Sequence, residues 1–308
     1  MPSEQELVRA VWLLQNGGLV ALPTETVYGL SANALDVAAV QRIYDVKGRP
    51  KTSPLIVHVA SIEMARSLAR EWPLEANILA GAFWPGPLTM VVKKRPVVPD
   101  LVTAGLDTVG LRMPAHPVML EVIRRAQVPL AAPSANRFTE VSPTTAQHVY
   151  DSLGDAVDLI LDGGPCRVGI ESTVVSLAGE EPVLLRPGMI SREDLERLLE
   201  RPVRTVGDVE GAHPSPGLHH KHYSPRTPAV RVSDGKLPAG RVAYVWWRTP
   251  ADAAVAIRMP DDVAGYAREL YGALLEADRA GVDVIAVEAT PTAAEWAAIE
   301  DRLRRALQ

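Results

Sequence analysis

The chain has 308 residues, 47% of them hydrophobic and 22% charged, with a formal net charge of −5 and a mean hydropathy of +0.04. At ~150 residues per domain this predicts two domains with real cores; it excludes a short peptide ligand and wholesale disorder, and no apolar run reaches the ~18 residues a bilayer span needs. A lone cysteine, Cys166, closes no intrachain disulfide, and no basic stretch precedes the first apolar residues, so the expected address is the cytoplasm.

Ser3 with Glu6 three residues on is a capping-box pattern that opens a first helix, stopped at Gly17-Gly18. Leu19 to Pro23 reads as a short buried strand. Asp36 caps a helix with Val37, Val40, Ile43 and Tyr44 on one side and Gly48 at its end, and Pro54 to Ala60 is the next strand. Ser61 and Glu75 open two further helices before the breaker Pro85-Gly86-Pro87. Strands follow at 88–92, 108–113, 128–133, 157–162, 172–177 and 182–186, with helices near 117–127, 144–153 and 191–200. That order predicts an α/β (α+β) domain over residues 1–200, with a twisted mixed sheet. Residues 201–228, rich in proline and histidine, read as an interdomain linker. A smaller α/β domain, 229–308, is marked by continuous apolar strands at 240–247 and 282–289 and by a helix from Asp261 to Ala280.

Charge is uneven: 18 cations face 23 carboxylates in residues 1–200, and 14 face 14 in residues 201–308. Yet between Val46 and Ile62 stand Lys47, Arg49 and Lys51 with no carboxylate, the footprint of a small anion site rather than a nucleic-acid clamp. Four polar clusters sit at predicted strand or helix ends: 23–30, 47–50, 133–136 and 169–173. Lys47 and Arg49 form either a phosphate clamp or the cationic complement of a helix dipole. Arg112 and Arg186, each in or at the end of an apolar strand, require either a structural carboxylate or an anionic ligand. His58 is a core histidine or a ligand. Thr26, Ser134, Asn136 and Ser172 serve equally as strand-end, cap or turn residues. Glu25 and Glu171 are acid/base groups or ion-pair partners of an arginine. His213, His219, His220 and His222 fit no metal-ligand spacing, so no metal site is expected. There is no P-loop, GxGxxG or GxSxG. The residues by themselves predict a two-domain α/β protein with a polar pocket for a small anion.

Taken together and in order, PTETVYGL, KGRP with PLIVHV, FWPGPLT, VGLRMPAHP, PSAN, GIESTVV and LLRPG closely resemble the threonylcarbamoyl-AMP synthase (YrdC-like) family over residues 5–200. SPGLHHKHYSP, Ser215 to Pro225, resembles the linker of its long form, which carries an extra C-terminal domain. The resemblance implies a YrdC-like sheet with a large concave cavity and a Rossmann-like second domain. It implies an enzyme, a nucleotidyltransferase that makes L-threonylcarbamoyladenylate and pyrophosphate from ATP, L-threonine and bicarbonate or CO₂, with Mg²⁺, for tRNA modification. Lys47, Arg49, Thr108, Ser134, Asn136, Ser142 and Arg186 would contact ATP, with Lys47 and Arg49 catalytic. Thr26, His58, Arg112 and Ser172 would hold threonine, and His222 and Tyr223 would fold over the cavity mouth. The product would pass to a tRNA threonylcarbamoyl transferase, with no tight direct tRNA binding and no membrane contact. Ser53 departs from the pattern, standing where many relatives have asparagine. The alternatives are an RNA-binding module, and a related carbamoyl-adenylate-forming module of the hydrogenase-maturation type.

Overall fold

The computed structural model describes residues 2–205 and 222–307. Helix α1 (Glu4–Gln15) begins on the predicted box: the Ser3 hydroxyl accepts the Glu6 N–H, and the Glu6 carboxylate accepts the Ser3 N–H at 2.7 Å. In α2 (Val37–Lys47) Asp36 accepts from the N–H groups of Ala38 and Ala39, and Gly48 ends the helix at φ 61°, a left-handed turn that suits a residue without Cβ. That stop places Lys47 and Arg49 on either side of a sharp corner. α3 (Ile62–Leu68) starts on Ser61 as expected, and α4 (Leu74–Phe83) starts one residue before Glu75, behind Pro73. A one-turn α5 (Asp100–Thr103) behind Pro99 is too short to leave a periodic signal. α6 (Pro117–Ala126), α7 (Ala146–Leu153) and α8 (Arg192–Leu199) lie within the predicted windows.

Ten strands form one mixed sheet. In chain order they are β1 (Val20–Leu22), β2 (Gly29–Asn33), β3 (Ile56–His58), β4 (Leu88–Lys93), β5 (Thr108–Arg112), β6 (Leu130–Ala131), β7 (Leu159–Ile160), β8 (Thr173–Ser176), β9 (Val183–Arg186) and β10 (Arg204–Thr205). Their spatial order is β10-β9-β8-β4-β5-β3-β6-β2-β1-β7. β2 was not legible: Gly29, Ser31 and Asn33 have poor strand propensity, and antiparallel pairing with both β1 and β6 overrides it. One apolar cluster packs α2, α3 and α4 on one face of the sheet through Val40, Ile43, Ala65 and Leu79. The other face is covered by α1 and α6, through Leu14, Val118, Val122 and Ile123. Each such buried aliphatic side chain contributes ~1.5–3 kcal/mol.

The second sheet is all parallel, β11 (Ala229–Val232), β12 (Val242–Trp246), β13 (Val255–Arg258) and β14 (Val284–Glu288), in the order β11-β14-β12-β13. α9 (Val263–Arg279) and α10 (Ala297–Ala306) accompany it. The two predicted strands and the long helix are present. The edge strand β13, only half-buried, and the charge-rich α10 were not legible. Residues 206–221 of the expected linker, with His213, His219 and His220, lie outside the described residues. Among the described residues no helix is long and apolar enough to cross a membrane.

The two sheets share a core. Val27, Val141 and Ile170 of the first part join Tyr266, Leu270, Tyr271 and Leu274 of α9 in one apolar cluster. At Gly169, φ 83°, a Cβ would sit 2.3 Å from the Arg268 Cα, so only glycine lets α9 approach this closely.

Candidate active site

The motif segments end together. His58 closes β3 directly opposite Arg112 closing β5, the 133–136 loop follows β6, Glu171 and Ser172 lead into β8, and Arg186 closes β9. They surround a cavity of about 60 Å³ that is walled on its remaining side by His222 and Tyr223.

Three guanidiniums line it. Arg112 Nη2 donates to Glu25 Oε1 at 2.6 Å and Nε donates to the Gly86 carbonyl at 3.2 Å. Its Nη1 donates to the Thr26 hydroxyl at 2.9 Å; that hydroxyl in turn donates a hydrogen bond to Thr24 Oγ1, whose hydroxyl donates to the Val27 carbonyl at 2.6 Å. A structural carboxylate therefore answers Arg112, and the 23–28 turn is held rigid against β5. Arg49 donates from Nη2 to the Ser53 hydroxyl at 2.6 Å and the Pro54 carbonyl at 2.9 Å, with its guanidinium 5.6 Å from the centre of the Phe138 ring. Burial, aided by Arg186, pulls Arg49 down to about 10, so it stays charged at neutral pH. Arg186 donates to the carbonyl and hydroxyl of Ser172 at 3.1 and 3.2 Å, and burial also lowers its pKa.

Lys47 stands one layer behind the wall. Its ammonium donates to the carbonyls of Ser134 and Asn136, tying the end of α2 to the 133–136 loop. Burial, with the charge of Arg49, pushes its pKa well below the usual lysine value. The Asn136 amide donates to the carbonyls of Arg137 and Glu140, both at 2.8 Å, while its Oδ1 is buried without a partner.

Four buried polar atoms have no partner among the described residues, and besides Asn136 Oδ1 they are His58 Nδ1, His222 Nδ1 and the Tyr223 hydroxyl, all three on cavity-lining side chains. Such orphans are rare in a folded interior and mark a place where a ligand would supply the missing bonds. Burial holds both His58 and His222 at about 3, Arg112 adding to the effect at His58, so both rings are neutral at pH 7. Cys166 is buried and its thiol is pushed up by burial, which makes it inert.

The strap that carries His222 and Tyr223 is pinned from two sides. The His222 N–H donates to the Arg305 carbonyl in α10 at 3.2 Å, and the Ser224 N–H donates to the Thr139 carbonyl at 2.9 Å. The His222 ring meets Phe138 edge-on at 5.7 Å, and Tyr223 stacks on Tyr271 of α9 at 5.6 Å. Glu171 occupies the corner between strap, sheet and α10: Oε1 accepts the Ser142 hydroxyl at 2.6 Å, and Oε2 accepts Tyr271 at 2.8 Å and Arg302 at 2.9 Å. Burial alone would raise its pKa, but the charges of Arg302 and Arg186 outweigh burial and lower it.

Of the residues singled out in the sequence, Thr26, Arg49, His58, Arg112, Ser134, Ser172, Arg186, His222 and Tyr223 line the cavity, and Lys47, Asn136 and Ser142 support it from behind. Thr108 stands apart. It begins β5, paired with Lys93, and at ~3.3 Å per residue lies about 13 Å along the strand from Arg112. Ser53, noted in the sequence as a departure from the family pattern and left out of the expected site, holds Arg49 from behind; Tyr271 and Arg302 were missed, because their contacts to the site carry no local sequence signature.

A family model described as "Telomere recombination" matches residues 12–188, and one described as "Threonylcarbamoyl-AMP synthase, C-terminal domain" matches residues 190–307. A Pyrococcus abyssi protein named threonylcarbamoyl-AMP synthase is 42% identical over 96% of this chain and 92% of its own length. One of the same name from Bacillus subtilis is 38% identical over 99% of this chain and 93% of its own. A crystal structure of P. abyssi Sua5 complexed with L-threonine superposes with a TM-score of 0.92 at 40% identity, covering 99% of this chain and 95% of that one.

Proposed function

The chain belongs to the threonylcarbamoyl-AMP synthase family, and from that membership we propose how its cavity works. The enzyme is a nucleotidyltransferase that joins ATP, L-threonine and bicarbonate or CO₂ into L-threonylcarbamoyladenylate and pyrophosphate, for threonylcarbamoyl modification of tRNA. The observation that carries the mechanism is the convergence of Arg49, Arg112 and Arg186 on one cavity whose wall also holds three unpartnered buried polar atoms. Guanidiniums recognise planar carboxylates and phosphates by paired hydrogen bonds, and these substrates carry both.

In this reading Arg112 takes the threonine carboxylate with the N–H groups it does not spend on Glu25, Thr26 and Gly86. Thr26, Ser172 and the Nδ1 of His58 hold the hydroxyl and carbamate of threonine, which a P. abyssi relative binds. Arg49 and Arg186 take the phosphates. Ser134, Asn136, Ser142, His222 and Tyr223 complete the nucleotide site, and Lys47 sets the loop on which Ser134 and Asn136 stand. Once the free threonine amine has captured CO₂ and released its proton to water, the anionic carbamate oxygen attacks the α-phosphorus. The new P–O bond forms as the bond to the β-phosphate oxygen breaks, and pyrophosphate leaves with that electron pair. The attack itself needs no side-chain base, since the carbamate oxygen is already anionic, and this suits histidines held at about 3. Catalysis then rests on positioning and on cations at the developing phosphoryl charge.

A space of about 60 Å³ is far below the ~300–1,000 Å³ of small-molecule sites, so the strap must swing aside for the nucleotide to enter. The residues present do not fit a resident metal. Among the described residues no three His, Cys, Asp or Glu side chains converge, and Glu171 has both oxygens engaged. Mg²⁺ would arrive as part of the ATP substrate. The product, a mixed anhydride, would pass to a tRNA threonylcarbamoyl transferase.

Pyrophosphate release from ATP with bicarbonate, measured with and without L-threonine, tests the reading. Release should depend on threonine and fall by ~30-fold or more in Arg49→Ala, the ~2–4 kcal/mol worth of one transition-state contact. Full turnover by Arg49→Ala would remove the arginine from the phosphate site.

A further inference from the structure

Among the described residues, Arg302 is a buried guanidinium that the proposed contacts to ATP and threonine leave unused. Arg302 is fully buried, although the helix that carries it, AAIEDRLRRA, reads as a charged surface face. A guanidinium without water persists only where acceptors surround it. Nε donates to Glu171 Oε2 at 2.9 Å and Nη2 to the Glu171 carbonyl at 3.1 Å, so α10 grips one residue of the first sheet at both ends. Nη1 donates at 2.8 Å to the carbonyl of Pro187, the residue after Arg186, and at 3.0 Å to Asp301. The guanidinium carbon lies 5.5 Å from the centre of the Tyr223 ring. Tyr271 repeats the arrangement, donating to Glu171 while its ring stacks on Tyr223.

Both side chains thus hold the same two wall residues without lining the cavity themselves. Held this way, Glu171 cannot turn its charge toward an incoming phosphate. Its remaining oxygen accepts the Ser142 O–H, so Ser142 presents only lone pairs and can only accept a hydrogen bond from the nucleotide. We propose that Arg302 and Tyr271, on the second sheet's helices, are positioning residues of the adenylating site: through Glu171 they set Ser142 and keep a carboxylate off the phosphates, and through Tyr223 they seat the strap. The inference rests on the synthase reading above. Docking of the second sheet then completes the nucleotide end of the site, while the threonine end is complete within the first.

The test uses the full chain in three forms: Tyr271→Phe, Arg302→Lys and the double variant Glu171→Gln/Arg302→Met. KM for ATP, KM for threonine, ATP affinity by calorimetry and the thermal midpoint are measured for each. Tyr271→Phe keeps the ring stack and the fold but should raise KM for ATP about tenfold, the worth of one hydrogen bond to a charged group, with KM for threonine unchanged. Arg302→Lys should raise it further, because an ammonium cannot span the carboxylate and two carbonyls. The double variant has no orphaned charge and should regain its thermal midpoint without regaining ATP affinity. Unchanged KM for ATP in Tyr271→Phe, or a double variant that recovers ATP affinity along with stability, would reduce the junction to domain adhesion and overturn the proposal. A wild type that binds ATP but releases no threonine-dependent pyrophosphate would sink the synthase reading, while calorimetry on the same variants would still decide the positioning.

Discussion

At one end of the cavity Arg112 meets Glu25; at the other Arg302 meets Glu171. Both pairs are buried, at 2.6 and 2.9 Å, yet they are assembled by different means. Arg112 is fixed by the parallel register of β3 with β5, and Glu25 sits in the turn between β1 and β2, so that pair forms whenever the first sheet forms. Arg302 comes from a helix of the second sheet, 131 residues along the chain, and meets Glu171 only when the two sheets dock. The first pair is a consequence of folding and the second a consequence of docking. The end of the cavity proposed for threonine is therefore preorganised, and the end proposed for the nucleotide is subject to an equilibrium that a ligand would bias.

The largest effect that tests this contrast is expected at Arg112. Its only carboxylate among the described residues is Glu25, so Arg112→Gln leaves that carboxylate buried with little beyond the Ala115 N–H. Removing one partner of such a pair destabilises by ~3–5 kcal/mol, measurable as a lower urea midpoint together with loss of threonine binding. A full-stability Arg112→Gln would show that the turn, not the ion pair, builds this end.

Acid separates the two ends next. His58 and His222 are both held at about 3, below an ordinary 6.5, so the native state keeps them neutral while the unfolded chain protonates them. Their contribution is complete above pH 6.5 and is lost as pH falls from there toward 3; at pH 5 a ring that stays buried accounts for about 2 kcal/mol of lost stability, and one that local opening can wet accounts for less. His58 lies within the β3–β5 pairing and cannot be wetted without opening the sheet. His222, whose ring faces Phe138 and Tyr223 and feels Glu171, Arg49, Lys47 and Arg186, is wetted when the strap alone lifts. His58→Gln should therefore remove more of the pH 7 to 5 loss in global stability than His222→Gln; equal effects would mean that the strap does not lift independently.

The same contrast explains what the sequence disclosed. Lys47 and Arg49 were legible because a helix, a glycine stop and a run without carboxylates are local features. His58, Arg112, Ser172 and Arg186 were legible as polar residues at the ends of apolar strands, and motif resemblance gave them a common site. Arg302 and Tyr271 were not, since in a helix with alternating charges a buried arginine looks like a solvated one, and no local pattern records a contact made 131 residues away. β2 and β13 were missed for a related reason, their strands being dictated by neighbours rather than propensity.

A smaller difference should separate the two glutamates. Glu25→Gln strips Arg112 of its carboxylate, whereas after Glu171→Gln Arg302 keeps Asp301 at 3.0 Å and the Pro187 carbonyl. Glu171→Gln should cost about 1–2 kcal/mol, well under Glu25→Gln. Equal losses in urea unfolding would erase the distinction between folded and docked ends.

The mildest test lies at Ser53, behind Arg49. Its hydroxyl accepts from Arg49 at 2.6 Å and its carbonyl accepts from Arg49 Nε at 3.2 Å, so it holds the guanidinium from behind, opposite the side proposed for a phosphate. Ser53→Ala removes the hydroxyl contact and keeps both carbonyl contacts, from Ser53 and Pro54. One lost hydrogen bond to a charged group predicts a rise of about tenfold in KM for ATP, with KM for threonine unchanged, because Ser53 holds Arg49 and not Arg112. Were KM for threonine to rise in step, the two ends would be coupled through the wall itself, and the separation into a folded end and a docked end would have to be redrawn around Arg49.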